Sequence, residues 1–137
     1  MSKMNGGCLC GNVRYSCAAE PLLVGICHCK NCQKQTSTSF SILVAVPKGS
    51  LEVAGELSSY RDQGTSGNAV VRKFCGNCGS AIVSDAEAAQ DMDFLKAGTL
   101  DDTSWLKPQM QFWCDSAQPW LQLDPQIEQL PQNPPME

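Results

Sequence analysis

Nine cysteines dominate the chemistry open to this chain, and seven of them fall into three groups. These are Cys8-Leu9-Cys10-Gly11, Cys27-His28-Cys29-Lys30-Asn31-Cys32 and Cys75-Gly76-Asn77-Cys78-Gly79. The first and last are glycine-flanked pairs. Two such knuckles supply the four thiolates of a closed, tetrahedral structural zinc site. Glycine permits the tight turn that points backbone amides at sulfur. An ion joining Cys8, Cys10, Cys75 and Cys78 would clasp the start of the chain to its middle, and the entropy of closing so long a loop grows only slowly with its length. The middle group is one ligand short. Cys27, Cys29 and Cys32 can hold one ion and leave a position for a ligand from solution, which is the pattern of a catalytic zinc. Zinc lowers the pKa of a bound thiol and polarises a carbonyl, so the expected chemistry is addition of a thiol to an aldehyde, or the reverse.

The remaining candidates are fewer. His28 is the single histidine. Side chains of neighbouring residues diverge on an extended backbone, so His28 is expected beside the metal or facing solvent, with ligation the lesser alternative. Cys114 is a candidate remote fourth ligand, although a core or surface thiol is the simpler reading. Cys17 shares a strand face with Val13 and Tyr15 and reads as a core cysteine. Any carboxylate on a substrate would call for cations near the triplet. Lys30, Lys34 and Arg61 are the substrate candidates, the first two flanking the triplet in sequence.

These groups need a scaffold. The chain has 137 residues, 42% hydrophobic and 18% charged, which fits one globular domain. Apolar–polar alternation and turn residues predict short strands over 12–17, 22–26, 40–46, 51–54, 57–62, 69–74, 80–84, 92–96 and 109–114. Residues 33–39 are polar and read as an irregular loop with at most one helical turn, and 63–68 as a Gly/Ser/Thr loop. Residues 85–91 and 100–105 read as short helical turns. The class is therefore all-β. Net charge is −4, and no basic run marks a nucleic-acid binder. No segment approaches the ~20 apolar residues of a membrane span. The polar stretch 1–7 lacks a signal-peptide core, so a cytoplasmic location is expected. A reducing cytosol and an odd number of cysteines both favour metal binding over disulfides.

Five segments, in order, resemble the glutathione-dependent formaldehyde-activating enzyme family, which includes centromere protein V. They are Gly7-Cys8-Leu9-Cys10-Gly11-x-Val13-Arg14-Tyr15, Cys27-His28-Cys29-x-x-Cys32-x-Lys34, Phe74-Cys75-x-x-Cys78-Gly79-Ser80, Gly98-Thr99-Leu100-Asp101 and Pro119-Trp120. The resemblance spans about 5–125, and implies a single domain at 1–137 with a proline-rich tail from 126 to 137. It implies a β-tent of short antiparallel sheets clasped by zinc. It also implies two zinc ions, a structural one on Cys8, Cys10, Cys75 and Cys78 and a catalytic one on Cys27, Cys29 and Cys32. The implied activity is that of a carbon–sulfur lyase, condensing glutathione with formaldehyde to S-hydroxymethylglutathione. The partner would be a small-molecule thiol or its aldehyde adduct. The centromere branch implies an alternative, a non-catalytic zinc-binding interaction module. Gln118 stands where the family often carries lysine before Pro-Trp.

Overall fold

The computed structural model describes residues 4–64 and 67–132, so residues 65–66 of the loop expected at 63–68, residues 1–3 and the last five residues of the tail lie outside it. Alternating side chains build eleven strands among the described residues. They are β1 (Met4–Gly7), β2 (Arg14–Cys17), β3 (Leu23–Cys27), β4 (Ser41–Pro47), β5 (Leu51–Ala54), β6 (Leu57–Gln63), β7 (Ala69–Cys75), β8 (Ala81–Ala86), β9 (Met92–Lys96), β10 (Met110–Phe112) and β11 (Glu128–Gln129). A small sheet has the order β1-β2-β5, and a large one the order β11-β10-β3-β4-β9-β8-β7-β6. All pairings are antiparallel except those of β10, which runs parallel to both β3 and β11. The all-β class holds, with one mixed sheet.

The large sheet has two unlike faces, because successive side chains point to opposite sides. Its back carries Val24, Val44, Val83 and Leu95, buried in one core with Tyr15 and Cys17 of the small sheet and Val13 just before β2. Each such residue contributes about 1.5–3 kcal/mol by leaving water. The front is set by register. Arg72 lies opposite Ser84, Ser84 opposite Phe94, Lys96 opposite Leu43, Ser41 opposite Cys27, and Cys27 opposite Phe112. This one face therefore carries two cations, two hydroxyls and the first cysteine of the triplet.

Three local structures differ from expectation. Residues 30–36 form a true helix, α1 (Lys30–Thr36), started by the Cys29 thiol, which accepts from the Cys32 amide at 3.2 Å, and closed by Ser37 in the left-handed conformation. The stretch before β2, read as a turn, includes the edge strand β1. Gly6 is required there, because a side chain would collide with the Tyr15 ring and the Thr99 carbonyl. Residues 100–105 do not form a helical turn. The Asp102 carboxylate accepts from the Ser104 amide and hydroxyl at 2.9 and 2.6 Å, which completes a turn without a helix. A short 3-10 helix, Ala97–Thr99, precedes it instead.

Candidate functional site

The outer cysteines meet at the tips of two hairpin-like turns. Cys8 and Cys10 lie between β1 and β2, ahead of Gly11 at φ 86°. Cys75 ends β7, and Cys78 lies in the turn to β8, ahead of Gly79 at φ 82°. The second turn is closed by Gly79 N donating to the Cys75 carbonyl at 2.8 Å and Cys75 N to the Ser80 carbonyl at 2.9 Å. The four sulfurs lie within 4.8 Å of one another. Cys8 and Cys10 are 3.6 Å apart, and Cys10 and Cys75 are 3.8 Å apart. A tetrahedron with metal–sulfur bonds of about 2.3 Å has edges of about 3.8 Å, so the donor set fits one ion. Amides support the sulfurs as the glycine turns predict: Val13 N donates to Cys8 at 3.2 Å and Asn77 N to Cys75 at 3.4 Å. The Ser80 hydroxyl first, then the Ser80 and Cys10 amides, pull Cys78 down to about 5. Leu9 N also donates to the Ser80 hydroxyl at 3.0 Å, tying one knuckle to the other without metal.

The inner cysteines form a different environment. Cys27 ends β3, Cys29 caps α1, and Cys32 lies in its first turn. All three are buried, with sulfurs within 4.8 Å of one another, and no fourth Cys, His, Asp or Glu joins them among the described residues. Hydrogen bonds from Cys27 and Cys29 drive the Cys32 thiol strongly down, and the Lys96 and Arg72 charges add to this. Donation to Cys29 and Cys32, together with burial, pushes Cys27 up. Cys32 also meets a cation directly. Arg72 Nη1 lies 3.9 Å from that sulfur, and its Nε donates to Asp62 at 3.0 Å. Asn31 donates to the same Asp62 oxygen at 3.0 Å. Burial opposes the Arg72 charge, but Cys32 and Asp62 outweigh it and hold the guanidinium above its usual range. Lys96 is 5% exposed, and burial lowers its pKa. Its ammonium donates to the Ser41 hydroxyl at 3.2 Å. Triplet, Arg72 and Lys96 line one end of a cleft of about 320 Å³ on the front of the large sheet.

The family model for the glutathione-dependent formaldehyde-activating enzyme matches residues 3–116. The chain belongs to that family. No curated protein matches it. Among solved structures, the crystal structure of a Rhodobacter sphaeroides protein matches with a TM-score of 0.57 and 21% identity, over 77% of this chain and 92% of that one. At that identity the likeness is one of fold. Both cysteine sets of this glutathione-dependent formaldehyde-activating family member could hold metal ions. No helix among the described residues is long and apolar enough to cross a membrane.

The fold distributes the sequence candidates unevenly. Lys30 and Lys34 are exposed on α1, and neither lines the cleft. Arg61 is also exposed and borders a separate surface depression with Lys48, Asp85 and Glu87. His28 is 1% exposed, outside the triplet's donor group, and its Nε2 is 2.9 Å from Gln111 Oε1. Cys114 is likewise outside the group, and its thiol donates to the Gln111 carbonyl at 3.7 Å. Cys17 is buried in the core. Gln118 joins a hydrogen-bonded chain behind the triplet. It donates to Gln33 Oε1 at 3.0 Å, and Gln33 donates to the His28 carbonyl at 2.6 Å. Arg72, Ser84 and Lys96 were absent from the sequence candidates. The signal that could have found them is a polar residue at an otherwise apolar position of β7, β8 or β9.

Proposed function

We propose that the protein forms and breaks the carbon–sulfur bond between a thiol and an aldehyde, as in the condensation of glutathione with formaldehyde. Cys27, Cys29 and Cys32 would hold one zinc ion at the reacting end of the cleft. Cys8, Cys10, Cys75 and Cys78 would hold a second, structural one. The observation that carries this reading is a buried three-thiol set that opens on a cleft and has two cations beside it. When bound at the triplet, zinc supplies a Lewis acid that favours a thiolate and polarises a carbonyl. The chain's own residues do the rest. Arg72 and Lys96 keep the local potential positive, which favours the sulfur anion that attacks and the oxygen that gains charge. Apolar walls keep bulk water away, which strengthens both effects. In the forward direction the sulfur–carbon bond forms, the carbonyl π pair moves to oxygen, and the thiol proton ends on that oxygen. None of the nine cysteines is in a disulfide, which suits a reducing cytoplasm.

Metal analysis and X-ray absorption on the purified protein test the proposal. The expected result is two zinc ions per chain, one with four sulfurs and one with three sulfurs and an exchangeable ligand, together with turnover of an S-hydroxymethyl thiol adduct. One ion per chain, or two ions each closed by four protein ligands with no turnover, would support the interaction-module reading instead.

A further inference from the structure

The cleft is far larger than formaldehyde requires. Formaldehyde has two non-hydrogen atoms and needs roughly the volume of a water molecule, about 30 Å³, whereas the cleft has about 320 Å³. Its walls are Leu23, Leu43, Val70, Met92, Phe94 and Met110, joined by the edges of two aromatic rings and several alanines. Its charged lining consists of Arg72 and Lys96, both at the triplet end, and Arg72 is already paired with Asp62. No carboxylate lines it among the described residues. A tripeptide such as glutathione carries two carboxylates and an ammonium. Laid along these walls, it would lose the hydration of those charges with no carboxylate to meet the ammonium and, among the described residues, one cation, Lys96, not already in an ion pair.

A second observation concerns the polar end. Ser84 lines the same cleft, is 4% exposed, and its hydroxyl has no hydrogen-bond partner among the described residues. Register brings it opposite both Arg72 and Phe94. A buried hydroxyl at the junction of the cations and the apolar wall is placed to meet a polar head whose tail runs along that wall.

We propose that the cleft selects a thiohemiacetal bearing an apolar chain. Its S–CH–OH head meets Ser84 and Lys96 beside the triplet, and its chain lies along Leu43, Met92 and Phe94. This rests on the thiol–aldehyde reading above and narrows its substrate class. The apolar chain enters with either reactant. The balanced step is RSH + R′CHO → RS–CH(OH)–R′: sulfur bonds to carbon, the carbonyl pair moves to oxygen, and the thiol hydrogen ends there. No oxidant is needed.

The test uses the zinc-loaded full chain and two series. One pairs formaldehyde with straight-chain thiols from ethanethiol to octanethiol. The other pairs glutathione with aldehydes from formaldehyde to octanal. Affinity is read by quenching of tryptophan fluorescence, since Trp113 lines the cleft, and carbon–sulfur exchange by NMR. Affinity should rise about fourfold per methylene until the cleft is filled, and the series in which it rises identifies the reactant that brings the chain. Met92→Glu, checked for folding by thermal melting, should flatten that dependence, and Leu43→Ala should weaken it. An affinity independent of chain length in both series, or tightest for glutathione with formaldehyde, overturns the proposal. Chain-length dependence without carbon–sulfur exchange upholds the apolar selection and overturns the chemistry assigned under the proposed function.

Discussion

The two cysteine sets use the same donor atom for opposite ends. The outer set lies at the rim, where Cys10 is exposed and Leu9 beside it is 88% exposed. Its sulfurs are supported by neutral backbone amides and a serine hydroxyl, and it joins two sheets that share a core. The inner set is buried, lies beside two cations, and faces a cleft. On the proposed reading, amide support and a fourth thiolate would make the outer set a closed site that serves as a fastener. Cationic support and a missing fourth donor make a site that can accept something else. On that reading, ligand number and the charge around the sulfurs would separate the two roles, and ligand type would not.

Breaking each set in turn is the strongest test of that contrast. Cys78→Ser removes a ligand of the fastener. Structural zinc contributes about 10 kcal/mol or more in small domains, comparable with a domain's whole stability. Cooperative melting by circular dichroism should disappear. Cys29→Ser should do the reverse. Serine keeps the helix-starting hydrogen bond, so Tm should shift by less than about 5 °C. Bound zinc should fall from two to one per chain, and turnover should drop at least ~100-fold. If Cys29→Ser also abolishes the melt, the division of labour fails.

Smaller changes sharpen the contrast. Arg72→Met leaves Asp62 without its guanidinium, at a cost of about 3 kcal/mol in urea denaturation. Arg72→Met with Asp62→Asn should recover part of that loss without restoring full activity. The fastened core has its own pH signature. Burial pushes the Tyr15 hydroxyl up to about 12, although the hydroxyl of Thr99, 2.7 Å away, works against the shift. An unfolded tyrosine ionises near 10, so over that window the unfolded chain sheds a proton the folded chain keeps. Stability therefore falls as pH rises from about 10 to about 12, and Tyr15→Phe should remove the slope. The smallest effect is expected from Arg14→Ala. The Arg14–Asp101 pair spans 2.5 Å, but both side chains are about half exposed and screened by water, so its loss should leave the thermal melt almost unchanged.

The cysteine groups were legible because their geometry is local. Two sulfurs one or two residues apart, with a glycine behind them, already constrain each other. The strands were legible from alternation: 92–96 matches β9 at both ends, and most others agree within two residues. Arg72, Ser84 and Lys96 were not legible, because they reach the triplet through strand pairing. Alternation says which residues share a face, but not which face receives Cys27. Lys30 and Lys34 misled for the converse reason. They are neighbours of the triplet in sequence, yet α1 turns them to solvent. That helix was itself hard to read, because its polar residues show no apolar stripe and its start depends on a cysteine side chain.

The parallel seam at β10 has a consequence for biosynthesis. Trp113, Cys114 and Asp115 amides donate to the carbonyls of Gln132, Leu130 and Pro131, and Leu130 packs against the triplet's own cluster. The four outer thiols all precede residue 80, whereas the wall behind the inner three is completed by residues beyond 127. Chains emerge from the ribosome amino end first. The nascent chain therefore presents its whole outer donor set while the inner one still lacks its backing. The inner thiols, complete at Cys32, emerge before Cys75 and Cys78, but their surroundings are finished only when the last strand has been made.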